Sequence, residues 1–173
     1  RQVTITAAGD EEAVVYDETL ALASGTAYTV AAAGEVSADA ATEFAPVVLL
    51  DNATEPDNET AAVRLVHLSP DAPAVDVTVE GSDVVLADNV TYGGATDYLT
   101  VPEGDYTVEI RAATEDNNGT VVSTVDVDLD DETAYTAYAV GYVDPANASA
   151  DTPFRVVATE DATLEVELPE QDE

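Results

Sequence analysis

The chain has 173 residues, of which 37 are Asp or Glu and only four are basic, giving a formal charge of −33 at pH 7. All four cations are arginines (Arg1, Arg64, Arg111, Arg155), and lysine is absent. This balance excludes nucleic acid as a partner, because a phosphate backbone demands a basic stripe. The absence of Cys excludes a disulfide framework, thiolate chemistry and Cys-based metal sites.

Self-repulsion on this scale opposes a compact state at ordinary ionic strength. At about 1 M salt the Debye length shrinks to roughly 3 Å and the repulsion is screened. The composition therefore fits the brine of an extreme halophile, here expected to be an archaeon. Apolar residues make up 46% of the chain and recur periodically, which argues against an intrinsically disordered acidic polymer. No apolar run approaches the roughly 18 residues of a membrane span. The sequence starts at Arg1 without a signal peptide or lipidation motif, so we expect a mature or trimmed product, or part of something longer.

Val, Thr and Tyr dominate the structured-looking segments, and this is strand composition. Residues 1–50 contain alternating runs and the turn Leu22-Ala23-Ser24-Gly25-Thr26-Ala27-Tyr28, whose L-x-x-G-x-x-Y spacing matches a tyrosine corner. Residues 51–61 (DNATEPDNETA) are acidic and read as an exposed linker. Further strands are expected at Val75–Glu80, Tyr106–Arg111 and Val125–Asp130, each with one apolar and one polar face. The turn Val101-Pro102-Glu103-Gly104-Asp105-Tyr106 places Pro and Gly as a tight inter-strand turn requires. Leu129 to Tyr135 repeats the corner with Glu132 in place of the Gly. Tyr28, Tyr106 and Tyr135 are thus expected to be structural. The Ala-rich stretches Ser37–Glu43 and Ala146–Ala150 read as loops.

The chain also repeats itself. Val3-Thr4-Ile5-Thr6-Ala7-Ala8 matches Val108-Glu109-Ile110-Arg111-Ala112-Ala113, and Gly25–Thr29 matches Glu132–Thr136. Gly34 pairs with Gly141 and Phe44 with Phe154, so the offset drifts only from 105 to 110. Residues 1–50 therefore correspond to the second half of the unit at 62–160. Residues 161–173 form an extra alternating strand, carried by Leu164, Val166 and Leu168, and an acidic tail.

The complete unit opens with Val63-Arg64-Leu65-Val66-His67-Leu68-Ser69-Pro70-Asp71-Ala72-Pro73-Ala74-Val75-Asp76-Val77, followed later by Tyr98-Leu99-x-Val101-Pro102-x-Gly104-x-Tyr106. This pattern resembles the domain-of-unknown-function 4397 family of prokaryotic exported proteins. The resemblance implies tandem immunoglobulin-like modules on cell-surface proteins, with no established activity and no catalytic residues. The expected fold is all-β: tandem immunoglobulin-like, Greek-key, antiparallel β-sandwiches, the first incomplete within this chain.

Within the motif, Pro70 and Pro73 lack a backbone donor and cannot sit in a central strand, while Ser69 and Asp71 can close the turn through side-chain bonds. His67 and Asp76 flank it. A hydrolytic triad needs a nucleophile, a base and an orienting acid in one cleft; His67 is the only histidine, and a hydrogen bond from it to a turn carboxylate or backbone group explains it more simply. Asp126, Asp128 and Asp130 on one strand face leave calcium open as a ligand at loop ends, although no segment matches a calcium-binding loop; no cofactor is expected.

Five of the six Asn lie in N-x-S/T sequons, at Asn52, Asn58, Asn89, Asn118 and Asn147. Ser and Thr account for about 16% of residues, so chance supplies about one sequon. Such sequons mark exposed loops of exported proteins. The expected protein is a non-enzymatic, extracellular, N-glycosylated building block of a surface filament, stalk or layer. It is expected to self-associate by inter-chain strand complementation, with residues 163–168 as candidate donor. The alternative is an adhesin or a glycan- or protein-binding module, using Tyr92, Tyr138 and Tyr142.

Overall fold

The computed structural model describes residues 1–36, 40 and 42–163. These residues form twelve β-strands and one short 3-10 turn, Pro145–Asn147. No described helix is long and apolar enough to cross a membrane.

The first four strands make two separate hairpins. β1 (Gln2–Ala7) pairs antiparallel with β2 (Asp10–Thr19), and β3 (Ala27–Ala33) pairs antiparallel with β4 (Ala45–Asp51). Among the described residues neither hairpin has a third strand.

The remaining eight strands are β5 (Thr60–His67), β6 (Val75–Val79), β7 (Val85–Val90), β8 (Leu99–Pro102), β9 (Gly104–Ala112), β10 (Val121–Leu129), β11 (Thr133–Val140) and β12 (Arg155–Asp161). They form two four-stranded sheets in the orders β10-β9-β6-β7 and β12-β11-β5-β8. Their alternation turns Leu65 and Ala137 of one sheet toward Val75, Val77, Val108 and Ile110 of the other, which fuses both inner faces into one core. The protein is therefore all-β, with the character of a β-sandwich.

One pairing departs from the antiparallel expectation. β11 runs parallel to β5, from Thr133 opposite Ala61 to Ala139 opposite His67. Alternation of apolar and polar residues is the same for either strand direction, so the pattern carries no information on this point. The expected exposed linker also departs from its composition. Ala53 is buried against Ala62 and Ala134 beside Tyr98, and Pro56 is buried too.

β1–β4 reproduce β9–β12 in order and pairing. Residue types recur at matching positions: Val3 and Val108, Ile5 and Ile110, Leu22 and Leu129, Tyr28 and Tyr135, Thr29 and Thr136, Asp51 and Asp161.

Candidate functional site

The Ser-Pro-Asp turn follows β5, and its polar side chains each tie two segments together. His67 is fully buried. Its Nε2 lies 3.0 Å from the Pro73 carbonyl, which can only accept, so Nε2 carries the proton. Its Nδ1 accepts the Ser69 backbone N–H at 3.3 Å. The Ser69 hydroxyl donates to the Gly141 carbonyl at 2.6 Å and lies 3.4 Å from Asp71 Oδ1. The Asp71 carboxylate accepts the backbone N–H groups of Val143 and Asp144, both at 2.8 Å. The Pro70 carbonyl accepts the Thr42 hydroxyl at 3.2 Å, a bond between the two repeats.

Asp76 does not meet His67. It is buried on β6, where Oδ1 accepts the Asn89 N–H at 2.9 Å and Oδ2 the Thr114 N–H at 2.8 Å. The Asn117 amide nitrogen, turned toward this carboxylate, lies 3.3 Å from Asp76 Oδ2 and 3.1 Å from Asp88 Oδ1. With Nδ1 engaged by a backbone N–H, the His67 lone pair does not address the Ser69 hydroxyl, which itself donates elsewhere. The arrangement anchors loops and does not align a nucleophile with a base.

Burial holds the His67 ring below its ordinary pKa of 6.5, partly offset by the bond to the Pro73 carbonyl. The unfolded chain then takes up a proton near pH 6.5 that the folded chain refuses, so stability falls as pH drops through 6.5 and levels once the folded ring titrates. The urea midpoint is expected to fall between pH 7.5 and pH 5.5, at fixed high salt. His67→Gln is expected to flatten that slope; an equal slope in this variant would assign the effect elsewhere.

A second cluster joins the repeats. Arg64 on β5 is 4% exposed. Its Nε and Nη2 donate to Thr136 Oγ1 at 3.0 and 2.9 Å, Nη1 donates to the Leu50 carbonyl at 2.8 Å, and Nη2 meets Asp51 Oδ1 at 3.3 Å. Its guanidinium carbon lies 4.8 Å from the centre of the Tyr98 ring, within cation–π range. The Tyr98 and Thr136 hydroxyls both donate to Asp161 Oδ2, at 2.9 and 2.5 Å. Burial pushes the Tyr98 phenol up, as its first cause. One guanidinium thus links the end of β4 to the outer face of the larger assembly. Sequence reasoning missed this role. Its signal was a lone cation inside the apolar run Val63-Arg64-Leu65-Val66, in a chain with only four.

The joint has a second contact at the far ends of β3 and β11. The Tyr142 hydroxyl donates to Glu35 Oε1 at 2.9 Å and the Ser149 hydroxyl donates to the same oxygen. Those bonds, Ser149 first, hold the Glu35 carboxyl below its usual range.

The three structural tyrosines bond back to nearby backbone. Tyr28 Oη accepts the Ala23 N–H and Tyr135 Oη the Asp130 N–H, each at 3.2 Å and each five residues upstream. Tyr106 donates to the Pro102 carbonyl at 2.8 Å. Glu132 adopts φ +55° where Gly25 has φ +77°, so the second corner keeps the left-handed turn without the glycine. Tyr92, Tyr138 and Tyr142 are half-buried; Tyr92 stands edge-on to His67 with ring centres 6.2 Å apart.

All five sequon asparagines are exposed, whereas the sixth, Asn117, is half-buried. Among the described residues no three His, Asp or Glu side chains converge as metal ligands. Asp126 and Asp130 instead accept the Thr107 and Tyr135 hydroxyls, at 2.8 and 3.0 Å. The candidate donor residues Leu164, Val166 and Leu168 lie outside the described residues.

Fold and site together define an all-β repeat protein whose buried polar residues serve as staples. The chain belongs to the family described as domain of unknown function DUF4397, whose model matches residues 1–78 and 61–167. No curated protein matches the chain.

Proposed function

We propose that this chain is a non-enzymatic, N-glycosylated structural module of an extracellular surface protein of a halophilic archaeon. It serves as a building block of a filament, stalk or surface layer, and its first repeat is completed by strands from outside the segment. One observation carries this reading. Val108, Ile110, Leu129, Ala134, Tyr135, Thr136 and Ala139 are buried in the eight-stranded assembly. Their identical counterparts Val3, Ile5, Leu22, Ala27, Tyr28, Thr29 and Ala32 are half-buried or exposed.

Among the described residues this leaves an apolar face uncovered beside two open strand edges, a surface for association. The exposure of every sequon asparagine supports an exported, glycan-bearing coat, and the acidic, lysine-free surface supports life in brine. The hydrogen bonds that occupy His67, Ser69, Asp71 and Asp76 support a scaffold without catalysis. Tyr92 and Tyr142 are engaged by His67 and Glu35, which disfavours the adhesin alternative.

The test is the assembly state of the chain from its native host, measured by light scattering and negative-stain microscopy at about 2 M salt, where surface charge is screened. Concentration-dependent oligomers or filaments are expected, with an intact mass above that of the polypeptide. A strictly monomeric species of unmodified mass overturns the reading.

A further inference from the structure

Resting on the reading that the first repeat is completed from outside, we infer what completes it. The partner is a β5–β8-type half of another copy of this unit, carrying an arginine on its β5 and a Ser-Pro-Asp turn after it.

Strand order sets the first requirement. β9 lies between β10 and β6, and β11 lies between β12 and β5. Their counterparts β1 and β3 have only β2 and β4 as neighbours among the described residues. The partner must therefore add a strand to two sheets at once. The pairings in the eight-stranded assembly give the directions: antiparallel onto β1, as β6 runs along β9, and parallel onto β3, as β5 runs along β11. A single donated strand, such as residues 163–168, satisfies one edge and leaves the other bare. A second copy of residues 1–50 related by a two-fold axis normal to the sheets would pair antiparallel on both edges, which conflicts with the parallel requirement at β3.

Side-chain chemistry sets the second requirement. Thr29 Oγ1 donates to Asp51 Oδ2 at 2.9 Å, as Thr136 Oγ1 donates to Asp161 Oδ2. In the eight-stranded assembly Thr136 also receives Arg64. The same position on the first repeat calls for an arginine whose fork spans a hydroxyl and a backbone carbonyl. Gly141 and Val143 receive Ser69 and Asp71. Their counterparts are Gly34 and Val36, and Val36 is 62% exposed. A Ser-Pro-Asp turn entering there supplies one donor to Gly34 and one acceptor to Val36.

The test extends the full chain by a second copy of residues 59–105 placed ahead of Arg1, so that the added β8-type strand feeds β1 as β8 feeds β9. Amide hydrogen exchange is read strand by strand at high salt. Exchange in β1 and β3 is expected to slow by about 100-fold, toward that of β9 and β11, and the extended chain is expected to be monomeric. Replacing the arginine, serine and aspartate of the added copy alone (R64M, S69A and D71A) is expected to reverse most of that protection.

Unchanged exchange in the extended chain overturns the inference, and so does equal protection of both strands by a peptide of residues 163–168. If the unextended chain self-associates and protects β1 and β3 while the added half does not, the partner is wrong but the reading of outside completion stands. If the unextended monomer already protects β1 and β3 as fully as β9 and β11, that reading itself fails.

Discussion

Replacing Arg64 with methionine is expected to destabilise the chain by about 3 kcal/mol, the cost of breaking a buried ion pair by removing one partner. Methionine fills the volume along the Tyr98 ring but leaves the Leu50 carbonyl, the Thr136 hydroxyl and the Asp51 carboxylate without their common donor. The Asp51 carboxylate then keeps its charge in a partly dry site without a cation, so the loss is expected to exceed that of any exposed ion pair. Arg64→Lys separates charge from shape: an ammonium is a point charge and cannot span Thr136 and Leu50 together, so an intermediate loss is expected. Urea unfolding at high salt measures the sum. Hydrogen exchange locates it, because the joint model demands that Leu49–Asp51 of β4 lose protection before β9 does. Equal loss in both, or none at β4, would mean that Arg64 stabilises its own sheet without joining the repeats.

The strands themselves were legible because their alternation is a local property. Val108, Ile110 and the other apolar residues of β9 point inward for the same reason that Thr107 and Glu109 point outward. The repeat was legible for a related reason: Val3, Tyr28 and Gly34 recur as Val108, Tyr135 and Gly141 at nearly constant spacing, so a comparison of the chain with itself recovers the correspondence. The tyrosine corners followed from spacing, since each hydroxyl reaches a backbone group five residues away.

What the sequence hid depends on distance along the chain. Arg64 meets residues 13, 14 and 72 positions away, and no local pattern encodes such a meeting. Alternation assigns Asp76 to the polar face of β6, yet that face is buried too, and the residue's acceptor role depends on Asn89 and Thr114. His67 bonds the Pro73 carbonyl, while β6 carries Asp76, on the other side of the turn, into the opposite sheet. Parallel pairing of β5 and β11 was invisible because burial patterns do not record direction. The linker offered a subtler error: its composition reads as an exposed connector, yet Ala53 and Pro56 are packed out of water and its last two residues, Thr60 and Ala61, already belong to β5.

Gly34→Ala and Gly141→Ala are expected to be the same local lesion with different consequences. Gly34 has φ +84° and Gly141 φ +83°, a conformation that costs an L-residue about 1–2 kcal/mol. In each case the added methyl would also overlap a backbone carbonyl oxygen, that of Glu43 at the first site and of Pro153 at the second. Backbone cannot swing aside as a flexible side chain can, so the total is expected to reach about 3 kcal/mol or more. At Gly141 the shift also moves the carbonyl that accepts the Ser69 hydroxyl, so the loop joining β11 to β12 and the turn after β5 fail together. Gly141→Ala is therefore expected to lower the main thermal transition at high salt. Gly34→Ala strikes strands that pair only with each other among the described residues, so the main transition is expected to hold to within a few degrees while β3 and β4 lose their exchange protection. If both variants lower one common transition equally, the two repeats unfold as a single cooperative unit, and the Arg64 and Glu35 contacts between them are stronger than their partly exposed partners imply.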